Sequence, residues 1–347
     1  MHKKIGWDIG GAHLKAVLLD NNGNVMHVQQ VACPLWLGLD KLETAILTVL
    51  KNFTLSTEQV DHAVTMTGEL VDLFTNRHEG VMDISQCVAR LLGGDVLFYC
   101  MTTSSNEDYF LAIGNVSANT QMIASANWHA SARLLAKILP SALLVDIGST
   151  TTDIILIDKG IIINSGLSDA KRMQQDTLVY TGVVRTPVMA VTQKLLLDTE
   201  ITNVAAEYFA TMADVYRLTE ELPEGLDLAE TADGEPKTML ASARRLARMV
   251  GHDYEDKPLQ IWQQLAHDCR EKQRKQIELA VMKHLKIGVT IVGAGAGSFL
   301  VGSIAQSLNR SYASFTSLLN DEANHDLGVC LPAFAVAKLA FLRNEVS

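Results

Sequence analysis

The stretch Leu143-Leu144-Val145-Asp146-Ile147-Gly148-Ser149-Thr150-Thr151-Thr152-Asp153-Ile154-Ile155-Leu156-Ile157 decides the fold. It reads as strand, tight turn, strand. Branched residues dominate both arms, as a buried strand requires. Gly148 permits a turn with positive φ and a close approach of the backbone to a ligand. Ser149, Thr150, Thr151 and Thr152 supply N–H groups and hydroxyls, and Asp146 and Asp153 bracket them. Such a turn can surround a phosphate with donors, while its carboxylates hold a hard cation directly or through water.

The same pattern stands at the N-terminus, in Ile5-Gly6-Trp7-Asp8-Ile9-Gly10-Gly11-Ala12-His13-Leu14-Lys15-Ala16-Val17-Leu18-Leu19-Asp20. One Asp-Ile-Gly triplet is common. Two copies, each closing one apolar strand and opening another, indicate an internal duplication. A third glycine site, Val292-Gly293-Ala294-Gly295-Ala296-Gly297-Ser298, reads as strand, turn and helix start. A helix N-terminus offers free N–H groups and partial positive charge. A dinucleotide fingerprint is the rival reading. Its third glycine would fall one position later, and no acid ends the next strand-like stretch, Ser311 to Phe315. The candidate phosphate-binding residues are Gly10, Gly11, Gly148, Ser149, Thr150, Thr151, Gly293, Gly295, Gly297 and Ser298. Alternating small residues from Gly293 to Ser298 would let a ligand reach the backbone. Close packing of helix on strand is the other use of such residues. On the binding reading, Gly295→Val stays folded and loses diphosphate affinity.

A chain of 347 residues has room for two domains. We expect a first domain over 1–140, rejoined by a closing helix over 332–343. A second would span 141–331, with a largely helical insertion around 190–285. Charged residues interrupt every long apolar run, so no membrane partner is expected. The net charge of −10 argues against nucleic acid. The five cysteines are scattered without a Cys-x-x-Cys, which suggests neither a disulfide framework nor a zinc site and points to a reducing cytoplasm. The start of the chain runs straight into a strand without the apolar core of a signal peptide. Oligomeric state is left open.

Along the chain, helical periodicity marks 39–53, 84–92, 124–139, 238–251 and 260–285. A further helix is expected to start at Thr67-Gly68. The run Tyr180-Thr181-Gly182-Val183-Val184-Arg185-Thr186-Pro187 packs polar groups beside glycine and proline. Thr181 and Arg185 are its candidate substrate-binding residues, Arg185 as a fork for carboxylate or phosphate; a surface salt bridge would serve that arginine equally. Residues 218–237 are acidic and aperiodic, a loop long enough to be functional or disordered.

Two Asp-Ile-Gly hairpins followed by a late Gly-x-Gly-x-Gly turn resemble the superfold of actin, sugar kinases and Hsp70. The resemblance implies an α/β fold of duplicated actin-like ATPase (ribonuclease H-like) domains with a cleft between them, Asp8 and Asp146 facing each other across it. Asp-Ile-Gly-Ser-Thr-Thr-Thr-Asp is similar to turns of the hydantoinase A and oxoprolinase family. Trp7 to Ala12, Met66-Thr67-Gly68-Glu69-Leu70, Tyr180 to Pro187, Thr231-Ala232-Asp233-Gly234 and Val292 to Gly295 resemble its methanofuran-type synthase branch, across nearly the whole chain. His13 departs from that branch, where asparagine is expected, and its role stays open.

The branch implies a transferase of tetrahydromethanopterin-linked one-carbon metabolism. It would join an aminomethylfuran diphosphate to the phenol of tyramine or a tyrosine derivative, releasing pyrophosphate and forming an ether of methanofuran or methylofuran. The resemblance implies Mg²⁺ held by Asp8 and Asp146. Glu69 and Asp153 become candidate bases and Lys15 a phosphate anchor, so that Asp8, Asp146, Asp153, Glu69 and Lys15 form the catalytic set. An ATP-using kinase or amide hydrolase, and a non-catalytic nucleotide sensor, are the alternatives.

Overall fold

The computed structural model describes residues 2–55, 60–93, 96–101, 109–163, 166–319 and 325–346. The chain forms two compact units. One comprises Met1–Ala142, Ile157–Lys171 and Leu318–Ser347; the other comprises Leu143–Leu156 and Arg172–Ser317.

In the first unit, strands β1 (Lys3–Ile9), β2 (His13–Leu19), β3 (Val25–Ala32), β4 (Val60–Met66), β5 (Val96–Tyr99) and β6 (Phe110–Ala112) build one sheet. Its order is β3-β2-β1-β4-β5-β6. The hairpin β1–β2 is antiparallel and β4 joins β1 in parallel, so β1 and β4 end at the same edge. Both faces of β1 are covered, which explains its near-continuous apolar run. The helix Leu331–Val346 returns to pack on β1, β2, β4 and the helix Asn127–Ile138. Gly6 permits that contact: a Cβ there would lie 1.9 Å from the Ala333 carbonyl oxygen.

Lys4 is buried on β1 and pairs with Asp61, its neighbour on β4, at 2.6 Å. Asp61→Ala leaves an ammonium with no counter-charge, so we expect a loss of about 2–3 kcal/mol, read by urea denaturation. Retained stability would mean that Lys4 reaches water.

The expected helix at Thr67-Gly68 is only a 3-10 turn, Gly68–Leu70; the helix begins at Arg77, where Asn76 caps it by accepting the Glu79 N–H at 3.0 Å. The expected helix over 124–139 also breaks. A short turn, Thr120–Ile123, precedes Ser125, whose φ is +50°, and the helix proper is Asn127–Ile138. Residues 157–171 lie with the first unit rather than the second. After the strand of the central hairpin, Gly160 N–H bonds to the Pro140 carbonyl at 2.8 Å and the chain runs beside helix Asn127–Ile138.

The second unit repeats the scheme. The remaining strands are β7 (Ala142–Ile147), β8 (Thr152–Asp158), β9 (Ile161–Ile163), which lies with the first unit, β10 (Leu178–Val179), β11 (Lys194–Leu197), β12 (Glu200–Asn203), β13 (Thr290–Ala294) and β14 (Tyr312–Ser314). The path β10-β8-β7-β13-β14 matches β3-β2-β1-β4-β5 position for position. Strands β11 and β12 form a separate hairpin. Helices Met212–Leu218, Met239–Arg248 and Leu259–His284 pack on one another. The acidic stretch 218–237 is tied down. Arg217 bonds to Asp227 at 2.7 Å, and fully buried Arg245 bridges Asp214 and Asp233 at 2.8 and 2.9 Å. These ion pairs give Asp233 of the Thr231 to Gly234 motif, and Arg245 of the helix Met239–Arg248, a structural role.

Candidate active site

Each Asp-Ile-Gly turn lies at the carboxyl end of the central strand of its sheet, where ligands of α/β proteins bind. In the second unit, Gly148 N–H donates to the Thr151 carbonyl at 2.8 Å and closes the turn. The carbonyls of Ile147, Gly148 and Ser149 are all occupied from behind. Gly297 N–H reaches the first at 2.8 Å, and Val183 N–H the second at 3.1 Å. Val184 and Arg185 N–H reach the third at 3.1 and 2.9 Å. In a trans peptide the N–H points opposite to the carbonyl. Of the N–H groups in these three peptides, that of Gly148 closes the turn, while those of Ser149 and Thr150 have no partner among the described residues and are displayed away from the protein; the Thr151 N–H, on the next peptide, also has no partner among the described residues. Ser149 Oγ is buried and also without a partner among the described residues. A concave row of donors is the cradle a phosphate requires.

This geometry explains the Tyr180–Pro187 run, which is a strap across the back of the turn. Gly182 fits because a Cβ there would stand 2.5 Å from Ser149 C and Thr150 N. Thr186 Oγ1 accepts the Gly182 N–H at 2.8 Å. Thr181 is buried; its hydroxyl accepts from Gln273 Nε2 at 2.8 Å and its carbonyl accepts from Thr152 Oγ1 at 2.7 Å. Tyr216 Oη fixes Gln273 from the other side at 2.5 Å. Thr181 therefore holds the strap, whereas the exposed side chain of Arg185 is carried on a backbone bonded to the turn. Gln273 and Tyr216 were not legible from sequence, since a buried glutamine on a charged helix leaves no periodic signal.

The third glycine site abuts the same strand end. A Cβ on Gly295, whose φ is +79°, would meet Asp146 Oδ1 at 2.3 Å and the Ile147 carbonyl at 2.4 Å. One on Gly297 would meet the Ile147 side chain at 2.5 Å, and one on Gly293 the Tyr312 ring at 2.9 Å. Protein fills the space beside all three glycines, so their smallness serves packing. The Ser298 and Leu300 N–H groups also bond back to Gly295 and Gly297, leaving fewer free donors than a bare helix start. This crowding favours the packing reading, on which Gly295→Val loses stability first.

In the first unit, Gly10 N–H closes its turn on the His13 carbonyl at 2.9 Å. Carbonyls of Gly11 and Ala12 accept Leu35 and Cys33 N–H groups at 3.0 and 2.8 Å; the Gly11 and Ala12 N–H groups have no partner among the described residues. Asp8 is buried between Lys15 on β2 and Thr65 on β4 by register, with Lys15 Nζ 3.9 Å from its carboxylate. In the repeat, Asp153 takes the place of Lys15. Buried Arg172 holds Asp153 at 2.6 Å, and that ion pair commits one of the two oxygens of this candidate base.

Glu69 stands differently. Thr67 N–H bonds to the Ile9 carbonyl at 2.9 Å, so the Gly68–Leu70 turn starts beside the glycine turn. Glu69 is 1% exposed, and its Oε1 accepts the Ser125 hydroxyl at 2.8 Å. Its Oε2 is buried with no hydrogen-bond partner among the described residues. Burial pushes its carboxyl above the ordinary range, against the opposing pull of the Ser125 hydrogen bond and the Arg77 charge. Asp169 Oδ2 lies 3.3 Å from the same hydroxyl and 2.7 Å from Arg77. Sequence reading found Glu69 but missed Ser125, Arg77 and Asp169, which are far apart along the chain and carry no shared motif.

Two sheets of one strand order, each with a donor-lined glycine turn after its first strand, define the actin-like ATPase fold of sugar kinases and Hsp70. Acetone carboxylase in its nucleotide-free structure superposes with a TM-score of 0.54 at 10% identity, over 96% of this chain and 70% of that one. The hydantoinase/oxoprolinase family model matches residues 61–317. The (4-{4-[2-(gamma-L-glutamylamino)ethyl]phenoxymethyl}furan-2-yl)methanamine synthase of Methanocaldococcus jannaschii is 30% identical over 342 residues, 96% of each chain. The synthase of the same name from Methanococcus vannielii is 28% identical over 60% of this chain and 93% of its own. The chain belongs to the hydantoinase/oxoprolinase family and, within it, to the branch of these methanamine synthases. No helix among the described residues is long and apolar enough to cross a membrane.

Proposed function

We propose that this enzyme is a transferase that forms the aryl furfuryl ether of a methanofuran- or methylofuran-type cofactor. It joins an aminomethylfuran diphosphate to a tyramine- or tyrosine-type phenol and releases pyrophosphate. The observation that carries this reading is the end-to-end similarity to a synthase whose named product contains that phenoxymethyl–furan bond. In the reaction the phenol oxygen bonds to the furfuryl carbon, the carbon–diphosphate bond breaks, and the phenol loses a proton. The furan donates electrons to the carbon, so the main demand is stabilising charge on the departing diphosphate.

The displayed N–H groups of Ser149 and Thr150, with that of Thr151 beside them, suit that anion, and those of Gly11 and Ala12 offer the same chemistry in the first unit. The Arg185 guanidinium and the Lys15 ammonium add positive charge in their respective units. Among the described residues no cluster of three or more His, Cys, Asp or Glu is built. A Mg²⁺ that travels with a diphosphate needs only one or two protein carboxylates, and Asp8 and Asp146 offer hard oxygen at the turns. Bound there, it would neutralise charge on the leaving group. Glu69, with an uncommitted oxygen and raised affinity for a proton, is the base for the phenol, whose own pKa is near ~10.

The test is incubation with the furan diphosphate and tyramine, γ-glutamyltyramine or tyrosine, without ATP, with mass detection of the ether and assay of pyrophosphate. A strict ATP requirement would return the chain to the kinase or amide-hydrolase class. Ligand-dependent closure with no product would mark a sensor. Chelation is expected to abolish ether formation and Mg²⁺ to restore it; turnover that survives chelation removes the metal from the reading.

A further inference from the structure

Ser125 has a backbone conformation that its side chain disfavours. Its φ of +50° lies in the left-handed region, where glycine would sit without strain. The chain could have avoided that strain with glycine, yet serine stands here, and its side chain is placed between two carboxylates. Ser125 Oγ lies 2.8 Å from Glu69 Oε1 and 3.3 Å from Asp169 Oδ2. A hydroxyl carries one hydrogen and can donate fully to only one of them. The shorter distance gives it to Glu69. Asp169 is independently held by Arg77 at 2.7 Å, so it can wait for a second donor without being left uncompensated. Glu69 then keeps Oε2, buried and unpartnered among the described residues, as the oxygen with no hydrogen bond committed.

We propose that Ser125 is a positioning residue for Glu69: its hydroxyl donates to Glu69 while that carboxylate is ionised, and turns to Asp169 once Oε2 has taken the phenol proton. The inference rests on the ether-forming reading above and adds the device that sets the state of its base. No covalent bond forms at Ser125. The proton moves from phenol oxygen to Glu69 Oε2, and only the hydrogen bond of the hydroxyl changes acceptor. The strain at residue 125 is retained because glycine, although comfortable there, brings no hydroxyl. The charged groups whose fields reach Glu69 are Arg77, which favours its ionised form, and Asp169, which opposes it.

Ser125→Gly separates this role from a structural one, because it relieves the backbone while removing the hydroxyl. We expect its melting temperature to equal or exceed that of the wild type. We expect kcat to fall about tenfold, the scale of one charge-assisted hydrogen bond, with KM within twofold. Loss of the donor also destabilises the ionised carboxylate. The acid limb of the kcat profile should therefore move to higher pH, and so should the ¹³C carboxyl titration of Glu69, assigned by its absence in Glu69→Gln. Ser125→Ala should lose the same activity with a lower melting temperature. A glycine variant with kcat within twofold and an unmoved Glu69 titration overturns the proposal. So does a loss of activity with no change in that titration. If the wild-type chain forms no ether, the functional reading and the catalytic part of the proposal fall together. If it does form ether and the variant matches it, only the proposal falls.

Discussion

Glu69→Gln is expected to lose two to four orders of magnitude in kcat, as removal of a positioned general base does, about 10²–10⁴-fold. It is also expected to make the protein more stable at neutral pH. Both effects have one cause. Glu69 is buried, and burial raises its carboxyl above the ordinary value of 4.5 by penalising the charged form. The folded state therefore binds a proton that the unfolded state has released. Stability of the wild type falls as pH rises from about 4.5 through the folded-state value, and stays reduced above it. Glutamine has the same shape, still accepts the Ser125 hydroxyl, and carries no charge to desolvate. Melting curves should show the variant above the wild type at pH 7, with the difference closing toward pH 4. Its ether-forming rate should collapse with little change in KM for the diphosphate. A variant of full activity would remove Glu69 from the reaction. One that is inactive and less stable would make Glu69 a structural anchor.

Gly295→Val is expected to cost at least ~3 kcal/mol, lowering the melting temperature by about 6–12 °C for a unit of this size. Two terms add. A φ of +79° disfavours any β-branched residue, and the new Cβ would drive into the Ile147 carbonyl and the Asp146 carboxylate at 2.4 and 2.3 Å. A backbone carbonyl has nowhere to go, because the Ile147 oxygen is already fixed by the Gly297 N–H. Gly288→Ala isolates the first term, for its φ is +77° with nothing within 4 Å of the added carbon. That change should cost only about 1 kcal/mol. Equal losses at the two sites would mean that packing at Gly295 is slack. A folded Gly295→Val lacking only diphosphate affinity would restore the ligand-contact reading of the third glycine turn.

The sequence by itself determined the duplicated strand–turn–strand units, because that information is local. Apolar strands ending in Asp-Ile-Gly fix where the chain extends and where it turns, and two copies of one pattern imply two sheets of one topology. It also determined the family, through the Tyr180–Pro187 run and its companions. Helices with strong periodicity, such as Leu39–Asn52 and Leu259–His284, fell within a residue or two of their expected ends. The pattern failed at Thr67, whose N–H is bonded to the distant Ile9 carbonyl, and at Ala124, which is followed by the positive φ of Ser125.

Only the tertiary structure decided what the motif residues do. Thr181 has the composition of a substrate ligand, yet Gln273, far along the chain, occupies its hydroxyl. The glycines from 293 to 297 have the composition of a binding loop, yet Ile147, Asp146 and Tyr312 fill the space beside them. Asp153 and Glu69 are both acids near turns. Arg172 commits an oxygen of the first, while Ser125 leaves one oxygen of the second buried and without a hydrogen bond among the described residues. Whether a carboxylate is a base, a counter-ion or a spacer depends on the groups within a few ångströms of it, because desolvation and Coulomb terms act over that range. Those neighbours come from segments that only folding brings together.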